Sequence, residues 1–100
     1  MDSPAPDAGQ HLVLDIGGDV GALAIDTGPG RDGTEIEISP AGSQQRVHNV
    51  VRRRPAGPVT RYAAVFPALA AGEYTVWRND AAPAGTVEVH GGRVAEFRLD

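Results

Sequence analysis

Three histidines, His11, His48 and His90, are the side chains of this 100-residue sequence best suited to holding a metal ion or moving a proton near neutral pH. Their spacing fits neither H-x-H nor H-E-x-x-H, and there is no cysteine to complete a thiolate site. Asp15 and Asp19 could add an oxygen ligand, yet they lack the alternating donors of a calcium loop. No metal and no cofactor is therefore expected. Ser39, Ser43 and Thr60 stand without a nucleophile elbow or an adjacent base, which leaves serine-type acyl transfer without support. Residues 28–33 match G-x-G-x-x-G literally. A dinucleotide fingerprint, however, must open a helix onto the pyrophosphate, and a strand pattern follows here, so the glycines read as a loop. Arg52, Arg53 and Arg54 project to alternate sides of a strand, and no aromatic platform accompanies them, so nucleic acid is not an expected partner.

The remaining chemical candidate is Asp26-Thr27-Gly28, at the end of an apolar run that begins near Ile16. This segment resembles the active-site hairpin of retroviral-type aspartic proteases, chains of similar length that work as homodimers. The resemblance implies two Asp-Thr-Gly carboxylates placed side by side, sharing a proton and activating water, with Asp26 as the catalytic acid beside Thr27 and Gly28. Gly92-Arg93 resembles the Gly-Arg near that family's C-terminus. Three features depart from the pattern. Pro29 stands where a small residue should follow, His90-Gly91 replaces an apolar residue and glycine, and residues 93–99 alternate as a strand where the family has a helix. An Asp-Thr-Gly at a strand end is also an ordinary turn, its Asp capping backbone amides.

Any such site needs a scaffold, and composition limits which. One hundred residues build one domain with a single core. Alanine supplies 15 of the apolar residues, while 11 valines and 4 isoleucines outnumber 5 leucines threefold, which favours strands over helices. Residues 1–45 carry eight acids and one arginine, whereas residues 46–100 carry eight arginines and five acids. Two halves of one domain so charged are expected to compensate each other rather than to mark an acidic or basic partner. The longest apolar run, residues 63–71, is broken by Pro67, so no membrane span is expected. The acidic, proline-bearing start lacks a secretory pattern, which predicts a cytoplasmic protein. Residues 1–10 have no apolar periodicity and are expected to form a disordered arm, leaving residues 11–100 as the folded domain.

The rest of the chain has a two-residue beat. Strands are predicted over residues 11–16, 20–27, 34–39, 46–53, 59–66, 73–78, 86–89 and 93–99, with Ile36 and Ile38 inward and Glu35 and Glu37 outward in the clearest of them. Residues 54–58 read as a five-residue hairpin loop, and residues 90–92 as the turn of a closing hairpin. The expected fold is an all-β antiparallel sandwich of about seven to eight short strands, prealbumin-like or immunoglobulin-like.

Residues 62–77 carry an aromatic, Pro67, Leu69 and then Gly72-Glu73-Tyr74-Thr75-Val76. This phrase resembles one shared by transthyretin-like and carboxypeptidase-regulatory-like sandwiches. The resemblance implies that Phe66 closes a strand, Leu69 plugs the sandwich from a turn, and Tyr74 packs while its hydroxyl reaches nearby backbone. The whole chain also resembles a family of small stand-alone bacterial proteins with no defined activity, which supplies no catalytic residues. Trp77 points opposite to Tyr74 and Val76, so it is expected on an outer face, available to a partner. The function these features predict is a non-catalytic interaction or ligand-presenting module that buries an apolar patch or strand edge against a protein partner or another copy of itself. The alternatives are the aspartic protease acting through Asp26 and a carbohydrate-binding module stacking sugar on Trp77.

Overall fold

The computed structural model of the chain describes residues 16–99. The expected arm, His11, Asp15 and all but the last residue of the strand expected over 11–16 lie outside them. Among the described residues there are eight strands: β1 Val20–Thr27, β2 Glu35–Pro40, β3 Val47–Val50, β4 Arg52–Ala56, β5 Val59–Ala70, β6 Gly72–Trp77, β7 Pro83–Val89 and β8 Val94–Arg98. They form two four-stranded sheets, β4-β5-β1-β8 (sheet A) and β3-β2-β6-β7 (sheet B). The described part measures 42 × 33 × 16 Å along its principal axes. No helix among the described residues is long and apolar enough to cross a membrane.

The period of two explains which side chains meet. Leu23 and Ile25 of β1 and Ala64, Phe66 and Leu69 of β5 face Ile36 and Ile38 of β2 and Tyr74 and Val76 of β6 in one buried cluster. The inward and outward sides expected for β2 and β6 are those observed, with Glu35 exposed and Ile38 fully buried.

Several connections differ from expectation, each for a packing reason. The segment 46–53 is two strands rather than one. The chain passes from sheet B to sheet A at Val51, which is fully buried and exchanges backbone hydrogen bonds with Thr34 and Gly33. The loop 54–58 tightens to Gly57-Pro58, because Ala56 still pairs with Val59. Gly57 at φ +65° followed by a proline suits a type II′ turn. Phe66 does not end its strand, and Leu69 is not in a turn. Instead β5 continues to Ala70, and Pro67 and Ala68 fall where the register slips between Gly21 and Leu23, a bulge where a missing N–H costs nothing.

The closing hairpin is also corrected. β7 and β8 lie in opposite sheets, and β8 pairs with β1 in parallel, the one non-antiparallel pairing among the described residues. Strand β1 is apolar on both faces and central, so it needs a neighbour on each edge. Gly85 leaves room for this arrangement, since a Cβ there would lie 3.1 Å from the Phe97 ring that reaches across the core. The connection is anchored by Gly92 N–H donating to the Val20 carbonyl and Ala22 N–H to that of Arg93.

Strand β5 passes to β6, in the other sheet, through Ala71 alone. Tyr74, 5% exposed, donates its hydroxyl to the Ala70 carbonyl at 2.6 Å and pins this corner, the backbone contact that the resemblance implied.

Candidate functional site

Asp26 sits near the end of β1 on the outer face of sheet A, flanked by Ala63 of β5 and Arg98 of β8. Its carboxylate is engaged. Arg61, one diagonal step away on β5, donates from Nε at 3.2 Å and from Nη2 at 2.5 Å to the same oxygen, Oδ1. This hydrogen bond and the Asp26 charge push the Arg61 pKa above its ordinary value, with Glu96 adding a smaller contribution in the same direction. Thr27 faces the interior and donates its hydroxyl to the Gly28 carbonyl at 2.9 Å. Beyond Gly28 the chain makes a single 3-10 turn, Pro29–Arg31, and enters β2. The six-residue glycine pattern is thus a loop before a strand. Asp26, Thr27, Gly28, Thr60, Tyr62 and Arg98 help line an open cleft of about 540 Å³ at this end of the sandwich.

Trp77 lies on the outer face of sheet B, as its alternation with Val76 requires, and is half-buried. Its indole N–H donates to Ser39 Oγ at 3.0 Å. The Arg46 guanidinium rests on the ring, 3.7 Å from its centroid, while donating to Glu37 Oε1 at 2.9 Å and to the Asp80 carbonyl at 2.8 Å. One ring face is therefore covered by a side chain that is itself held at two points. Ser39, considered above as a nucleophile, is the acceptor of the indole.

The other chemical candidates stay apart. His48 is exposed on β3 with Glu35 at 3.8 Å, whereas His90 belongs to the β7–β8 connection. Among the described residues no group of three or more metal-binding side chains converges. The Ser43 hydroxyl accepts the Gln45 N–H within its own loop. The ion pairs Asp26–Arg61 and Glu37–Arg46 each join a residue of 1–45 to one of 46–100, which is the compensation the charge split predicted.

One surface escaped the sequence reading. Next to the Asp26 cleft, Ala24 of β1 and Ala63 and Val65 of β5 floor a groove of about 180 Å³ on the outer face of sheet A, walled by Arg54 and Arg61. The Arg54 guanidinium donates from Nε to the Ala63 carbonyl at 3.1 Å. Burial, and secondarily the charge of Arg52, lowers its pKa. The legible signal was the apolar character of both phases of β1, Ala22 and Ala24 alternating with Leu23 and Ile25. That pattern belongs to strands covered on both faces.

No family model, no curated protein and no solved structure matches this chain.

Proposed function

We propose that this chain is a non-catalytic interaction module of the cytoplasm, a transthyretin-like sandwich that buries the outer face of sheet A against a protein partner. One observation carries the reading. Outward positions of a solvated antiparallel sheet are ordinarily polar, yet the centre of this face is Ala24, Ala63 and Val65, framed by Arg54 and Arg61. An apolar floor inside a rim of arginines suits a protein surface, because guanidinium groups are enriched at interfaces and an apolar floor is desolvated there at little cost. The transthyretin-like kinship is supported by the Tyr74 hydroxyl bonded to Ala70 at the corner between sheets.

The alternatives fit the geometry less well. Under the protease reading Arg61 would have to release Asp26 before two carboxylates could share a proton. Under the carbohydrate reading a sugar would have to displace Arg46 from Trp77.

A photo-crosslinking residue placed at Val65, with Gln44 in the exposed loop 41–46 as control, tests the proposal in living cells. Protein adducts from position 65 and none from position 44 are expected. Equal yields, or none from position 65, would overturn it.

A further inference from the structure

We propose that the sheet A face meets the sheet B face of a second copy of this chain, head to tail, with the Arg54–Arg61 pair of one molecule set against the Glu73–Glu88 pair of the next. The inference rests on the interaction reading above and names its partner.

The outer faces of the two sheets carry opposite charge. Outward from sheet A stand Arg52, Arg54, Arg61 and Arg98, against Asp26 and Glu96. Outward from sheet B stand Glu35, Glu37, Glu73 and Glu88, against Arg46, which is already bound to Glu37, and the imidazole of His48, 3.8 Å from Glu35. The halves of the sequence compensate within the molecule only in part, and what remains is segregated by face.

Each face also holds a like-charge pair in direct cross-strand register. Arg54 of β4 is the partner of Arg61 on β5, and Glu73 of β6 is the partner of Glu88 on β7. Like charges directly opposite in a sheet destabilise it. Asp26 answers Arg61, but Arg54 reaches only the neutral Ala63 carbonyl. Among the described residues neither Glu73 nor Glu88 is in an ion pair. The lowered pKa of Arg54 agrees, since burial and Arg52 both disfavour its charge and a facing carboxylate would restore it. Each face therefore lacks what the other presents.

Contact of two identical faces would set arginine against arginine or glutamate against glutamate, so the twofold dimer is disfavoured and the head-to-tail contact remains. Such a contact does not close on itself and builds a stack.

Sedimentation velocity of the full chain tests this. The wild type is expected to form a concentration-dependent series, weakened about tenfold or more between about 0.05 M and about 0.5 M salt. Arg52→Glu with Arg54→Glu, and separately Glu73→Arg with Glu88→Arg, should each give monomers, while their equimolar mixture associates again. Circular dichroism establishes that each variant is folded. Should the arginine variant fail to fold, Glu73→Gln with Glu88→Gln decides the matter, because it should melt higher as a dilute monomer while losing association. A monomeric wild type at low salt, or a mixture that stays monomeric, would overturn the proposal. If the wild type is monomeric while position 65 still yields adducts to another protein, self-docking fails and the interaction reading stands; if position 65 yields none, both fail.

Discussion

Arg61 and Asp26 face each other diagonally across β5 and β1, with two guanidinium nitrogens converging on a single carboxylate oxygen. This pairing uses the one residue of the sequence that most resembles a catalytic acid as half of a surface ion pair. Asp26→Asn is accordingly expected to cost no more than about 1 kcal/mol, since the Arg61 side chain is 46% exposed and solvent screens the pair. Neither protein should cleave peptides at mildly acidic pH. Arg61 is raised above its ordinary value, so its contribution is full below that value and lost only as pH climbs through the higher one. The Arg61 guanidinium therefore adds no step to a thermal-stability profile across the neutral range. Cleavage that disappears in Asp26→Asn would show the protease instead.

Tyr74→Phe removes the hydroxyl that bonds to Ala70 and should destabilise by about 1 kcal/mol. Burial pushes the Tyr74 pKa up. The neutral phenol is thus favoured in the folded state, and its stabilising effect is complete below the ordinary tyrosine value and lost as pH rises through the folded one. Melting temperatures above about pH 10 should fall more steeply for the wild type than for Tyr74→Phe. Parallel curves would mean that the hydroxyl is not buried in that corner.

Arg46→Ala should uncover Trp77, the single tryptophan of the chain. A red shift of its emission and a loss of about 1 kcal/mol are expected. Ser39→Ala leaves the indole N–H without its acceptor, with a similar cost. Unchanged emission in Arg46→Ala would place Trp77 elsewhere.

Gly91 packs directly on the Gly18 backbone, and a Cβ there would overlap the Gly18 carbonyl oxygen. Gly91→Ala should therefore cost about 1–3 kcal/mol in chemical denaturation. Gly28→Ala should cost nothing, because φ at Gly28 is −83° and no atom lies within 4 Å of the added carbon. The contrast also separates readings, since Gly28 belongs to the motif a protease would need.

Much of the fold was written in the alternation of side chains. Ile36, Ile38, Tyr74 and Val76 fall inward because a strand offers its residues to two faces in turn, and one face here is core. Alternation does not say which sheet a strand joins. Val51 and Ala71 carry the chain between sheets with no local mark, and β8 pairs with β1 because β1 lacks a second neighbour, a fact about the whole assembly. The site was legible in pieces. Trp77 was placed on an outer face from its phase, but Arg46 covers it from 31 positions away through a loop contact that no period encodes. The Arg54–Arg61 pair likewise depends on the Gly57-Pro58 turn setting the register of β4 against β5.

The most direct test of the sheet A face as a binding surface is amide chemical-shift mapping. Dilute isotope-labelled chain would be titrated with unlabelled chain at low salt. The account predicts perturbations clustered at Ala24, Arg54, Arg61, Ala63 and Val65, with a second cluster around Glu73 and Glu88. Perturbations confined to the β3 edge, or a spectrum that does not change, would contradict it.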